Sequence, residues 1–96
     1  MPASKESVIR LLGKKYTYGM LKSLEKGPKR FKGLEDICRI EKMRAHRLRE
    51  LRSLDLIQAR AKRVDGRAVS LYSLSEKGKS ILRLAEDIKK LEADKS

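Results

Sequence analysis

The chain has 96 residues and a mass of 11.0 kDa, room for one domain and no second core. Its 25 Lys and Arg against 13 Asp and Glu leave +12 at pH 7, and hydrophobic residues make up 40%, too many and too evenly spread for a disordered basic tail. One Cys and one His exclude an intrachain disulfide and a typical protein-only zinc site, and no apolar run reaches the ~18 residues of a membrane-spanning helix.

In chain order, residues 1–6 read as a polar, frayed end, and MPASKESVIRLL lacks the long apolar core of a signal peptide, which points to the cytoplasm. Val8, Leu11 and Leu12, then Tyr16, Met20, Leu21 and Leu24, fall at helical spacing. Gly13 with Lys14 and Lys15 divides them into a short lead helix and a main first helix over about Tyr16 to Lys26. Gly27-Pro28 stops that helix, and Lys29-Arg30-Phe31 is briefly extended. A second helix is expected from about Lys32 to Arg39 with Leu34, Ile37 and Cys38 turned inward. A third is expected from about Glu41 to Leu54, resting on Leu48 and Leu51. Ile57 to Val64 and Ala68 to Leu74 alternate with period two. Between them lies Asp65-Gly66, the pair a two-residue type I′ hairpin wants because both central residues need positive φ. Ser75, Glu76 and Lys77 open a final helix to about Leu91 or beyond, with Ile81, Leu84, Ala85, Ile88 and Leu91 as its apolar positions. The expected fold is mainly α with a small β-hairpin (α+β), a winged helix-turn-helix in one domain over residues 1–96.

The charge is unevenly placed. Lys42 to Arg67 carries nine cations against three acids, +6 within 26 residues, whereas Ser75 to Ser96 carries six against five. A folded domain with this excess repels itself, so a polyanionic partner is expected. A charge run is most simply a solvated face, yet that does not explain why the two elements able to enter a groove are the charged ones. At about 100° per residue, Leu48, Leu51 and Asp55 mark the inward face of the third helix. Lys42, His46, Arg49 and Ser53 mark the opposite face, flanked by Met43 and Glu50. In a major groove that stripe would meet guanine acceptors and phosphates. Arg44 and Arg47 lie nearer the buried boundary and are expected to extend toward phosphates or to Glu41 and Glu35. The expected DNA-facing set is Lys42, Met43, His46, Arg47, Arg49 and Ser53, with Lys62, Arg63 and Arg67 on the hairpin.

Chemistry is otherwise sparse. His46 has no catalytic partner and is either a DNA contact or a solvated imidazole. Cys38 reads as a small buried hydrophobe rather than a sensor. Gly78-Lys79-Ser80 looks like the end of a phosphate-binding loop, but that motif needs Gly at position 73, where this chain has Ser73. No paired carboxylates, nucleophile with a base, or metal cluster is evident, so neither an enzyme nor a cofactor is expected.

Four stretches together resemble the HxlR group of MarR/ArsR-type winged-helix transcription regulators. They are Leu12-Gly13-Lys14-Lys15-Tyr16-Thr17, Gly27-Pro28-Lys29-Arg30-Phe31, Arg47-Leu48-Arg49-Glu50-Leu51 and Tyr72-Ser73-Leu74-Ser75-Glu76-Lys77-Gly78, spanning about Leu11 to Leu84 in order. The resemblance implies a sequence-specific regulator of double-stranded DNA acting as a homodimer at the nucleoid. The third helix, about 41–54, would lie in the major groove, and the hairpin, about 57–74, on the backbone or minor groove. Tyr16 stands where those proteins usually carry Trp. Asp55 replaces the usual Gly at a position expected to take positive φ. The N-terminal sensing cysteine of some relatives is missing, so electrophile sensing does not carry over. No small-molecule effector is implied.

The alternative is an architectural protein that coats DNA with little sequence preference, motivated by the high charge. A protein-interaction winged helix would not need +6 on its third helix and wing, and an aromatic content of 4% leaves few stacking platforms for RNA. Ile81, Leu84, Ile88 and Leu91 repeat at spacings of three, four and three, a coiled-coil type of seam. With Val8, Leu11 and Leu12 of the lead segment they are expected to join two copies, residues 75–94 serving as the dimerisation helix. Asn is absent, and Gln and Thr occur once each, as in thermophile proteins.

Overall fold

Ser7 opens the described part of the chain, residues 7–94 of the computed structural model. The polar end expected over residues 1–6 lies outside it. The Ser7 hydroxyl accepts the Arg10 amide at 3.1 Å and caps the short helix α1 (Val8–Leu12). Gly13 ends α1, and the chain turns through Lys14 and Lys15 to Tyr16, whose φ of 75° is left-handed. Helix α2 (Thr17–Glu25) follows and buries Thr17, Met20, Leu21 and Leu24, one face of a helical wheel. Gly27, at φ 144°, takes a backbone conformation that side chains resist, and Pro28 prevents any further helix. Strand β1 (Lys29–Arg30) then pairs antiparallel with the later strand β3 (Arg67–Leu74), Lys29 opposite Tyr72.

The second helix expected over Lys32 to Arg39 is not α-helical. It is a single 3-10 turn (Lys32–Leu34) continued by hydrogen-bonded turns through Ile37. Gly33 is a poor helix residue, costing about 1 kcal/mol against Ala, and no side chain caps the turn. Leu34 and Cys38 are still fully inward and Ile37 partly so, which anchors the turn without a regular helix.

Helix α3 (Glu41–Ser53) buries Leu48 and Leu51 as expected. Its chain leaves through Asp55 at φ 60°, the positive value that the resemblance implies at this position. Strand β2 (Ile57–Val64) pairs with β3 along its whole length, Ile57 opposite Leu74 and Val64 opposite Arg67. Asp65 at φ 53° and Gly66 at φ 79° supply the two positive values of the type I′ turn. The resulting sheet has the order β1-β3-β2.

Ser75 starts helix α4 (Glu76–Asp94): its hydroxyl accepts the Gly78 amide at 2.9 Å and donates to the Asp55 carbonyl at 2.5 Å. The Ser75 amide donates to the Leu56 carbonyl at 3.1 Å. A Cβ on Gly78 would lie 2.0 Å from that same Leu56 oxygen, so this glycine exists to let α4 cross the end of α3 and start of β2. Close packing, rather than phosphate, explains Gly78-Lys79-Ser80. Leu82 carries α4 into the core beside Leu11, Met20, Leu21, Leu51 and Leu56. Each such side chain contributes roughly 1.5–3 kcal/mol of burial. The architecture is a winged helix-turn-helix, mainly α with a small antiparallel sheet.

Candidate nucleic-acid interface

Helix α3 has two opposite chemistries. Lys42, His46, Arg49 and Ser53 are exposed on its outer side, as the periodicity of the sequence predicts. Among the described residues, Lys42 and Arg49 make no hydrogen bond or ion pair. His46 Nε2 lies 3.6 Å from a Glu50 oxygen, and Ser53 donates to the Glu50 carbonyl at 2.8 Å.

The inner side contains two arginines that the sequence reading sends outward. Arg44 is 1% exposed and Arg47 is 6% exposed. Arg44 Nε donates to the Cys38 carbonyl at 2.8 Å and Nη2 to the Arg39 carbonyl at 3.1 Å. Its guanidinium lies over the Phe31 ring. It therefore satisfies carbonyls of the turn that precedes α3 and touches neither Glu41 nor Glu35. Arg47 donates from Nε to the Lys15 carbonyl at 3.0 Å, from Nη2 to Met43 Sδ at 3.7 Å, and from Nη1 to Glu50. Expected as a DNA contact, Arg47 instead ties α3 to the segment between α1 and α2. The signal was available, since Arg44, Arg47, Leu48 and Leu51 have one-face helical spacing.

Glu50 is the counter-ion of this network. Burial pushes its carboxyl up, but hydrogen bonds and charge from Lys14 at 2.9 Å and from Arg47 outweigh that and hold it below the ordinary 4.5. Of the two acids on α3, Glu50 is thus turned toward Lys14 and Arg47, while Glu41 is exposed in the first turn.

On the wing, Arg60, Lys62, Arg63 and Arg67 are all exposed. Arg63 Nη1 donates to the Gly66 carbonyl at 3.4 Å across the hairpin turn. Among the described residues, Lys42 and Arg49 on the outer stripe and Arg60, Lys62 and Arg67 on the wing are long exposed cations without internal partners, the arrangement that phosphate neutralisation uses.

A different surface lies on α1 and α4. Leu84, Ile88 and Leu91 are 58%, 54% and 66% exposed, and Ile9 is 84% exposed. Ile9 was not singled out by the sequence pattern, which placed Leu11 in the seam. Leu11 is fully buried in the chain's own core and cannot meet a second copy. Val8, Leu12 and Ile81 are half-buried against that same core. Leu82, missed by the seam pattern, makes the internal contact of α4 and leaves Leu84, Ile88 and Leu91 open. Lys22 bridges α2 to α4 through Glu86 and also meets Glu25, and those two hydrogen bonds, Glu86 first, raise its pKa. Among the described residues no helix is long and apolar enough to cross a membrane.

A family model described as HxlR-like helix-turn-helix matches residues 11–95. No curated protein sequence matches the chain. Among solved structures it is similar to the reduced form of the transcriptional regulator YodB from B. subtilis, with 28% identity and a TM-score of 0.76 over 93% of this chain and 88% of that one. It is also similar to the redox regulator HypR in its reduced form, with 23% identity and a TM-score of 0.75 over 85% and 82% of the two chains. A MarR-family protein from Enterococcus faecalis V583 shares the fold at 14% identity, with a TM-score of 0.77 over 98% and 93%.

Proposed function

The chain belongs to the HxlR-like helix-turn-helix family, and from that premise we propose that it regulates transcription in the cytoplasm as a homodimer on specific double-stranded DNA. Helix α3 lies in the major groove, with Lys42, His46, Arg49 and Ser53 toward base edges and phosphates. The wing runs along the backbone or minor groove through Lys62, Arg63 and Arg67. One observation carries this reading. Among the described residues Lys42 and Arg49 on the outer side of α3 have no partner, while Arg44, Arg47 and Glu50 on its inner side are engaged within the fold. A helix that merely needed solubility has no reason for that division.

The dimer joins through Leu84, Ile88 and Leu91 of α4 with Ile9 of α1. These are large apolar side chains that the domain's own core leaves uncovered. Two copies related by a twofold axis would set their α3 helices about 34 Å apart, one turn of DNA, and would bind a pseudo-palindrome.

Selection of bound duplexes from a random pool tests the reading. Recovery of a two-fold symmetric preferred site supports it. Equal binding of all sequences would make the protein an architectural DNA-coating one instead.

A further inference from the structure

The N-terminal end of α3 carries two apolar side chains that the hydrophobic core does not use. Ile40 is 59% exposed and Met43 is 37% exposed, and neither packs against the core. Ile40 moreover occupies the N-cap of α3 and makes no capping bond. A short polar side chain there would satisfy a free amide, and Ile is among the residue types that cap worst. The sequence therefore forgoes helix stability to present a branched hydrocarbon to solvent. Arg39 and Lys42 beside it are exposed cations, and with the equally exposed Glu41 between them the patch keeps a net positive charge. Met43 is steadied beside it by the Arg47 guanidinium.

A polyanion with an apolar feature fits such a patch. Two side chains among cations offer too little area for a protein partner, whose interfaces need about 800 Å² on each side. In the major groove of B-DNA the one apolar feature on base edges is the thymine C5-methyl. Residues at the N-terminal end of a recognition helix are the ones that reach those edges.

We propose that Ile40, with Met43 beside it, reads thymine methyl groups and so determines the preference of α3 for A·T pairs opposite its N-terminal end. This rests on the DNA-binding reading above. Arg39 and Lys42 hold the flanking phosphates, and the hydrocarbon pair rejects bases that lack the methyl. Burying one methyl is worth a factor of about four in each half-site.

The test starts from the selected duplex and replaces each thymine in turn by deoxyuridine, which removes the methyl and keeps the base pairing. The intact chain is expected to lose about fourfold affinity per half-site at one or two thymines. An Ile40→Ala, Met43→Ala variant is expected to bind thymine and uracil duplexes alike, with its salt dependence unchanged, and Ile40→Val retains most of the discrimination. Indifference of the intact chain to every thymine methyl overturns the proposal, and that arm needs no variant. Undiminished sensitivity in the double variant overturns it as well. If the selection recovers no preferred sequence, the sequence-specific reading itself fails, an outcome distinct from specific binding without methyl sensitivity.

Discussion

The guanidinium of Arg44 sits 4.5 Å from the centre of the Phe31 ring while donating to the carbonyls of Cys38 and Arg39. One side chain thus joins the strand end before the helix-turn-helix, its turn, and α3. The turn's own backbone bonds end at the Cys38 amide, and Arg44 fastens the Cys38 and Arg39 carbonyls that follow. Arg44→Met keeps the stem but strands the two carbonyls and removes the cation from the ring. We expect a loss of about 2–3 kcal/mol. Urea unfolding at fixed protein concentration checks this, and a change under 1 kcal/mol would contradict the assigned role.

Glu50 should make stability depend on pH in the acid range. Its folded pKa lies below the unfolded value near 4.5, so the unfolded chain binds more protons in that window. The contribution is complete above the unfolded value and disappears as pH falls through the folded one. Glu50→Gln should therefore destabilise by about 1–3 kcal/mol near neutrality, because Arg47 loses its buried counter-ion. The gap between the two proteins should close toward pH 3. Parallel curves across the whole range would exclude the network as its source.

Much of this was legible in the residues. Asp65-Gly66 fixed the hairpin turn through backbone sterics alone, and Gly27-Pro28 fixed the end of α2 in the same way. The outer stripe of α3 followed from its period. Arg44 and Arg47 are buried on the Leu48–Leu51 face, whereas their charge alone points outward. A guanidinium can be buried wherever main-chain carbonyls converge, and no periodicity records where carbonyls will be. The same limit hid Leu82: the choice between Leu82 and Leu84 as the inward residue of α4 depends on how Gly78 seats the first turn. For the second helix, Leu34 and Cys38 gave the right inward residues and the wrong regularity.

Base-reading and phosphate-binding cations should separate by sequence dependence. Arg49→Ala is expected to cost about 1–3 kcal/mol on the selected site and less on random duplex. Lys62→Ala should weaken binding to both alike. With about 6–10 phosphate contacts per dimer, log K should fall against log salt with a slope of roughly −5 to −9, and by about two units less for Lys62→Ala, which removes one contact from each copy. Titrations at several salt concentrations on both duplexes measure all three quantities. Identical losses for Arg49→Ala on both would assign it to phosphate.

Assembly can be tested on the distal half of α4. Ile88→Glu, Leu91→Glu places carboxylates on side chains that contribute nothing to the chain's own core, so the fold should persist. Sedimentation at tens of micromolar should give a dimer for the intact chain and a monomer for the variant. A monomeric intact chain, or a dimeric variant, would reject the α1–α4 interface.

The joint around Gly78 has a mechanical consequence. Asp55 and Leu56, which end the reading segment, are held by Ser75 and met at contact distance by Gly78, so α4 grows directly out of the base of α3. Its 19 residues make an arm about 28 Å long. A tilt of about 10° at the joint displaces the far end by about 5 Å over that length, a distance larger than one base-pair step. In a pair of copies clasped near the tips of these arms, the same gearing runs in reverse. Small changes of crossing angle at Ile88 and Leu91 would swing the two α3 helices apart or together by a base pair or more. Operator spacing would then be tuned from the end of the molecule farthest from the DNA.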